Sequence, residues 1–173
     1  DQKTLIMSLE RRDTRGKSDL YVSFLRENGR GTKPLNLGDD INSSASELTP
    51  YLASDLRTLY FASDRTGGAG KFDIYMARRE DDSFTKWSPP KNLGKSFNSP
   101  GSDISISLTP DGTQAIYVSD AVSGSKDLRI QSVPEKFRPI QFPTLRGTVT
   151  DIDGKPLEAE VFVERLGGEK TIA

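Results

Sequence analysis

Cysteine and histidine are both absent from the 173 residues. Without cysteine the chain has no disulfide scaffold and no thiolate metal site. Without histidine it has no Ser-His-Asp or Cys-His constellation, no usual zinc site and no imidazole to exchange protons near neutral pH. Any catalysis would depend on carboxylates, lysine or tyrosine, and no pair of carboxylates stands out in the sequence. We therefore predict no catalytic residue, no cofactor and no metal.

The sequence also lacks long apolar runs and an excess of charge. No segment approaches the roughly 18 apolar residues of a membrane-spanning helix. The 24 basic residues nearly balance the 25 acidic ones, for a net charge of −1. Such a chain has no global attraction to nucleic acid or to an anionic membrane, so we predict neither nucleic-acid binding nor direct membrane insertion. The lack of cysteine fits either a reducing cytosol or a bacterial periplasm.

One stretch, residues 46–75, has a pattern that the rest of the chain repeats. Leu48–Leu52 and the β-branched and aromatic run Thr58–Ser63 predict two strands joined by a turn. Asp64–Gly70 is a glycine-rich loop, and Phe72–Met76 then alternates as a third strand. One such unit cannot bury its own face, so the pattern predicts further copies.

Copies recur at shifts of 54 to 56 residues. Asn36-Leu37-Gly38 matches Asn92-Leu93-Gly94, and Asp19 matches Asp73. A period in the fifties that contains only strands and turns is typical of propeller blades. We therefore predict an all-β chain with a partial propeller of about two to three four-stranded blades over residues 1–133. The predicted blades cover about 1–38, 39–94 and 95–133.

A different pattern follows the repeats. Three prolines in the segment 134–143 predict a short, stiff linker. Beyond it, Leu145–Asp151 and Ala159–Glu164 alternate with period two around a turn at Asp151–Pro156. Residues 144–173 are therefore predicted to begin a second β-domain, and about thirty residues are too few to close its core.

The repeats resemble the WD40-like units of TolB-type β-propellers. Tyr60–Arg65, Asp73–Tyr75 and the turn Thr109–Gly112 carry that signature. The segment Trp87–Gly94, followed by Phe97-Asn98 and Asp103, is similar to the propeller of large OmpA-family envelope proteins of Bacteroidetes-like bacteria. Departures at Leu56-Arg57 and at Leu128–Ile130 predict irregular blades. The recurring positions that we predict to be structural are Asp64, Arg65, Asp73, Tyr75, Trp87, Asn92, Gly94, Asp111 and Gly112.

The tail from Leu145 to Val163 resembles the opening of a carboxypeptidase regulatory-like domain, which is a transthyretin-like β-sandwich. In the family architecture an OmpA-like peptidoglycan-binding domain follows that sandwich. Such proteins are typically outer-membrane lipoproteins facing the periplasm, and one group serves type IX secretion and gliding. The resemblance implies a non-catalytic protein-interaction scaffold in a Gram-negative envelope. Its partners would be other envelope proteins, with peptidoglycan reached only through a domain outside this chain.

Two alternatives remain open at this point. The propeller could be the substrate-gating domain of a periplasmic peptidase or glycan-processing enzyme whose active site lies outside this chain. It could also be a TolB-like partner in outer-membrane tethering, although the linker and second domain disfavour that hypothesis. Residues that bind a partner cannot be identified from the sequence.

Four motifs allow both a binding and a structural interpretation, and the structural one is favoured for each. Asp64-Arg65 with Asp73 could form a ligand cluster, but recurrence indicates a turn or ion-pair role. Thr66–Gly70 could cradle phosphate, but neither a helix nor a Lys-Ser/Thr pair follows it. Asp151-x-Asp153 lacks the remaining ligands of a calcium loop. Trp87 and Phe84 could stack on a ligand, but Trp87 lies in a repeated motif, which favours packing between blades.

Overall fold

The runs of β-branched and aromatic residues form antiparallel strands, which confirms the all-β prediction. The computed structural model describes residues 3–120, 125–140, 148–158, 162–164 and 170–172. The chain divides into two units, Asp1–Gln141 and Phe142–Ala173. Within the described residues, no helix has the length and apolar character needed to cross a membrane.

The described strands of the first unit form three sheets in which chain neighbours pair. The first sheet contains β1 (Thr4–Leu9), β2 (Asp19–Phe24) and β3 (Leu35–Asn36). The second contains β4 (Glu47–Leu52), β5 (Thr58–Ser63), β6 (Asp73–Arg78) and β7 (Lys91–Asn92). The third contains β8 (Asp103–Leu108), β9 (Gln114–Ser119) and β10 (Asp127–Ser132). The second sheet is therefore the one described repeat with all four strands.

Both faces of the second sheet are covered, because alternate residues of its strands point to opposite sides. On β5, Leu59 and Phe61 belong to a core cluster with Leu20 and Val22 of the first sheet. Tyr60, between them, belongs to a cluster that includes residues of the third sheet. The second sheet thus lies between the other two.

Equivalent residues join each sheet to the next. Strand β4 contacts β1 and β2, and β8 contacts β4, β5 and β6. Single parallel bridges pair Ser18 with Ser46 and Phe72 with Ser102. The two bridges occupy the same position in successive repeats, so the second junction repeats the first.

The first strands of the second and third sheets carry the same irregularity. The register of β4 shifts between Leu48 and Tyr51, and that of β8 shifts between Ile104 and Ser107. Thr49 and Ser105 lie inside these bulges with φ of 44° and 55°. The Ser105 N–H donates to Thr49 Oγ1 at 3.1 Å, so the two strained sites contact each other.

The turn at Leu56 keeps its shape although it lacks glycine. Leu56 adopts a φ of 53°, and its counterpart Gly112 adopts 65°. The preceding Asp55 accepts hydrogen bonds from the N–H groups of Arg57 at 3.0 Å and Thr58 at 2.8 Å. These bonds stabilise the left-handed conformation of Leu56, at a position where glycine is the usual residue.

Much of the segment assigned to the linker packs on the first unit. A single 3-10 turn spans Glu135–Phe137, and Phe137 is buried in the cluster between the second and third sheets. The Tyr60 hydroxyl donates to the Phe137 carbonyl. The Ile140 N–H donates to Asp55 Oδ2 at 2.8 Å. Residues 134–140 are thus anchored by side chains of the second sheet.

In the second unit, β11 (Phe162–Glu164) pairs antiparallel with β12 (Lys170–Ile172). A tight turn precedes them, where Thr150 bridges Pro156 and Gly154 has a φ of 81°. Of the predicted strands, positions 145–147 and 159–161 lie outside the described residues.

Candidate interaction surfaces

The repeated Asn-Leu-Gly motif places an asparagine beside the aspartate that opens β6. Asn92 Nδ2 donates to Asp73 Oδ2 at 2.8 Å. The same carboxylate accepts the N–H groups of Ala69 at 2.5 Å and Gly70 at 3.2 Å. Those amides of the glycine-rich loop, which could have faced a phosphate, instead bind Asp73. The loop therefore has a structural partner within its own repeat.

A second asparagine, six residues after the first, completes an arrangement that we call the asparagine clamp: Asn92 and Asn98 around Ile74. Asn98 Oδ1 accepts the Ile74 N–H at 2.8 Å, and Asn98 Nδ2 donates to the Ile74 carbonyl at 3.0 Å. Asn98 Nδ2 also donates to Asn92 Oδ1 at 2.8 Å. The clamp ties strand β6 to the segment that leads into the third sheet.

The first sheet has an equal clamp, formed by Asn36 and Asn42 around Leu20. Asn42 Oδ1 accepts the Leu20 N–H at 2.8 Å, and its Nδ2 donates to the Leu20 carbonyl at 3.0 Å and to Asn36 Oδ1 at 2.8 Å. Asn36 Nδ2 donates to Asp19 Oδ2 at 2.9 Å. The geometry of the two clamps is the same, so the motif has the same structural use in both repeats.

The half-buried Arg65 forms a separate cluster with a buried glutamate of β4, on the other side of β5. Its Nη2 lies 3.1 Å from Glu47 Oε1, and Glu47 is fully buried. The Ser43 and Ser63 hydroxyls also donate to that carboxylate, at 2.6 and 2.9 Å. The Arg65 guanidinium lies 5.0 Å from the centre of the Tyr75 ring. Burial of this ion pair is therefore accompanied by additional hydrogen bonds and a cation–π contact.

Asp64, Arg65 and Asp73 do not form one cluster. Asp64 Oδ1 accepts the Ser46 N–H at 2.7 Å, whereas Arg65 pairs with Glu47. Glu47 was not among the sequence candidates. Its repeat counterpart is Asp103, and this change of residue type hides the equivalence from a search for identities.

Asp103 in the third sheet has an incomplete set of partners. The Ser99 N–H and hydroxyl donate to Asp103 Oδ2 at 2.6 and 2.8 Å, but among the described residues the buried Oδ1 has no hydrogen-bond partner. Within the same part of the chain, Arg129 Nε is also buried without one. Burial raises the pKa of Tyr117, and the negative charge of Asp103 raises it further. Among the described residues, the carboxylate of Asp103 is therefore less completely hydrogen-bonded than that of its counterpart Glu47.

Trp87 is used in packing. The side chain is only 2% exposed and belongs to the core cluster between the first and second sheets. Its Nε1–H donates to the Phe84 carbonyl at 2.8 Å, and the two rings meet edge to face. The Trp87 backbone N–H donates to Asp40 Oδ2 at 3.1 Å. A ligand has no access to this ring in the described arrangement.

The two remaining aspartate motifs form turns. Hydrogen bonds from the hydroxyl of Thr109 and the N–H and hydroxyl of Thr113 lower the pKa of Asp111 to about 2. Gly112, next to it, takes the left-handed conformation. In the second unit, Asp151 Oδ1 accepts the N–H groups of Asp153 at 3.0 Å and Lys155 at 2.8 Å. Among the described residues no group of three or more acidic side chains could hold a metal ion.

Two surface concavities lie outside these networks. One, of about 510 Å³, is lined by Arg11, Arg12, Asp13 and Lys33. The other is a groove of about 370 Å³ that follows the outer strand of the third sheet, lined by Ser96, Tyr117 and residues 127–131. We call the second one the β10 groove. Both are open to solvent and lined by side chains that can bind a polar segment.

Comparisons with known proteins returned no matching family model and no similar curated protein.

Proposed function

We propose that this chain is a non-catalytic protein-interaction scaffold of the bacterial cell envelope. Its architecture would be part of a WD40-like propeller, followed by the start of a carboxypeptidase regulatory-like sandwich. The protein would be periplasmic and associated with the outer membrane of a Gram-negative bacterium. It would contact other envelope proteins of a secretion or gliding machinery and reach peptidoglycan through a domain outside this chain.

One observation carries the scaffold proposal: the polar residues of the repeat signature bind one another or the backbone in the same way in successive repeats. Asp73, Asn92 and Asn98 form closed hydrogen-bond networks, as do their counterparts in the first sheet. Residues bonded in this way stabilise a rigid stack of sheets, so the amino-acid sequence of the loops and sheet edges can vary. A rigid stack with variable edges supports docking of several partners without chemistry.

The test is fractionation of the native envelope with the intact protein. The scaffold proposal predicts that it sediments with outer membrane and sacculi, and that crosslinking in cells yields defined adducts with envelope proteins. Digestion of the sacculi should release it together with those adducts. Recovery of the protein free in the periplasmic fraction, with no adduct and no sedimentation with the wall, would overturn the proposal. Hydrolytic activity of the intact protein on periplasmic peptides or glycans would favour the gating alternative.

A further inference from the structure

Strand β10 is the outer strand of the third sheet. In the other two sheets the equivalent strand has a further short strand beside it. In the first and second sheets the third strand of the repeat pairs with a short outer strand: β2 with β3, and β6 with β7. Within the described residues, β10 pairs only with β9. The β10 groove runs along this edge. An unpaired strand edge is a template for an added strand.

The exposure of equivalent residues reports the same difference. Leu20 and Ile74, the residues held by the two clamps, are each 0% exposed, whereas their counterpart Leu128 is 77% exposed. The aspartates before them, Asp19 and Asp73, are also buried, but Asp127 is exposed. The site that is covered in two repeats is therefore open in the third.

The two filled sites show what covers such an edge. In each, a short strand ends at the asparagine of Asn-Leu-Gly, and a second asparagine follows four residues after the glycine. The first asparagine donates to the aspartate, and the leucine N–H donates to the carbonyl of the clamped residue at 3.0 Å in the first sheet and 3.1 Å in the second. The leucines of the motif, Leu37 and Leu93, are buried. Both segments read Asn-Leu-Gly-x-x-Ile/Phe-Asn.

We propose that the β10 edge binds an extended polypeptide segment of the form Asn-Leu-Gly-x-x-Ile/Phe-Asn. The first asparagine of the segment binds Asp127, the leucine N–H binds the Leu128 carbonyl, and the last asparagine clamps Leu128. Ser96, which lines the groove, occupies the repeat position of Asp40, and Asp40 binds the backbone N–H of Trp87 in the filled second repeat. The groove thus extends beside the path that a closing segment follows.

This inference deepens the proposed function, since it identifies one docking edge of the scaffold and the chemistry of its partner. The two proposals fail in different experiments. Absence of peptide binding would refute the β10 site without affecting the envelope fractionation result. A protein found free in the periplasm that still bound the peptide would refute the envelope scaffold but not the β10 site.

The probe is a fluorescein-labelled peptide with this chain's own residues 88–98, SPPKNLGKSFN, added to the 173-residue chain. Fluorescence anisotropy should show saturable binding with a dissociation constant in the micromolar range. A control peptide with alanine in place of both asparagines should bind at least tenfold more weakly. Asp127→Ala in the protein should weaken binding roughly tenfold, since it removes a charge-assisted hydrogen bond. Asp127→Asn retains an acceptor oxygen and should restore part of the affinity.

Glu27→Ala serves as the matched protein control, because Glu27 is exposed in the loop between β2 and β3. This variant should bind the peptide with the same affinity as the parent chain. Hydrogen exchange provides a site-specific readout: the Leu128 amide proton should become protected when the peptide is added. Thermal melts of Asp127→Ala and Asp127→Asn separate lost binding from lost folding. Absence of saturable binding up to about 1 mM, equal binding of the alanine peptide, or an unprotected Leu128 amide in the bound state would each overturn the inference.

Discussion

Removal of the second asparagine of a clamp is the most direct test of the repeat networks. In Asn98→Ala the chain loses two hydrogen bonds to the Ile74 backbone and one to Asn92. The Ile74 carbonyl keeps the N–H of Leu93 at 3.1 Å as a donor. The Ile74 N–H, which is buried with its residue, is left without the amide oxygen that it bonds in the parent chain.

The magnitude follows from these groups. A buried donor left unsatisfied costs about 1–3 kcal/mol, and each further lost hydrogen bond costs about 1 kcal/mol. We therefore expect the free energy of unfolding to fall by about 3–5 kcal/mol. For a chain of this size that corresponds to a decrease in Tm of roughly 6–20 °C.

Urea unfolding monitored by the fluorescence of Trp87, the one tryptophan in the sequence, measures the change. The midpoint should fall while the slope with urea stays constant. Asn42→Ala removes the same three bonds in the first sheet, so it should have a similar effect. Asn28→Ala is the control, because Asn28 is exposed and, in the part of the chain that the structure describes, bonds to its own turn, so it should change stability by less than about 0.5 kcal/mol. A loss below about 1 kcal/mol for Asn98→Ala would refute the reasoning.

Three further predictions concern one carboxylate, one ion pair and one glycine. Burial opposes ionisation of Asp55, but hydrogen bonds from Thr58, Arg57 and Ile140 together lower its pKa. The stability that ionised Asp55 contributes is therefore complete above about pH 4 and is lost as the pH falls below that value. Acid-unfolding curves of Asp55→Asn should lack this pH-dependent loss. Removing either partner of the Arg65–Glu47 pair should cost about 3–5 kcal/mol in urea unfolding, while the double variant Arg65→Met, Glu47→Leu should cost clearly less than the sum, and additivity would contradict the pairing. Gly94 has a φ of 81°, in the left-handed region, and open space where a methyl group would lie. Gly94→Ala should therefore lower the free energy of unfolding by about 1–2 kcal/mol, and Gly94→Asn by less, because asparagine tolerates this conformation better. Equal losses in thermal unfolding would indicate a steric cause.

The strands and their repetition could be predicted from the sequence because they depend on local patterns. Alternating apolar residues identify β5 and β6, and the 56-residue shift aligns Asn42 with Asn98 before any contact is known. The role of these asparagines could not be predicted in the same way. Their partners are the backbone groups of Leu20 and Ile74, which carry no sequence signal.

The position of residues 134–140 shows a second limit of sequence reasoning. Prolines predict a stiff linker, and this expectation concerns local conformation only. The segment is held by tertiary contacts: the buried ring of Phe137, the hydrogen bond of its carbonyl with Tyr60, and the Ile140 N–H on Asp55. Asp55 lies 85 residues from Ile140 in the chain, and only the fold brings the two together.

The differences between repeats indicate where binding can occur more clearly than the shared residues do. Shared polar residues such as Asp73 and Asn92 satisfy one another, and a satisfied group gains little by exchanging its partner for a ligand. The third repeat keeps the aspartate and the clamped backbone position at Asp127 and Leu128 but shows no outer strand among the described residues, and its Leu128 side chain is exposed. Since the clamped residue is covered twice and exposed once among the described residues, Leu128 can gain the contacts that Leu20 and Ile74 already have. A binding segment would therefore recover at β10 the hydrogen bonds and apolar burial that the chain provides for itself at β2 and β6.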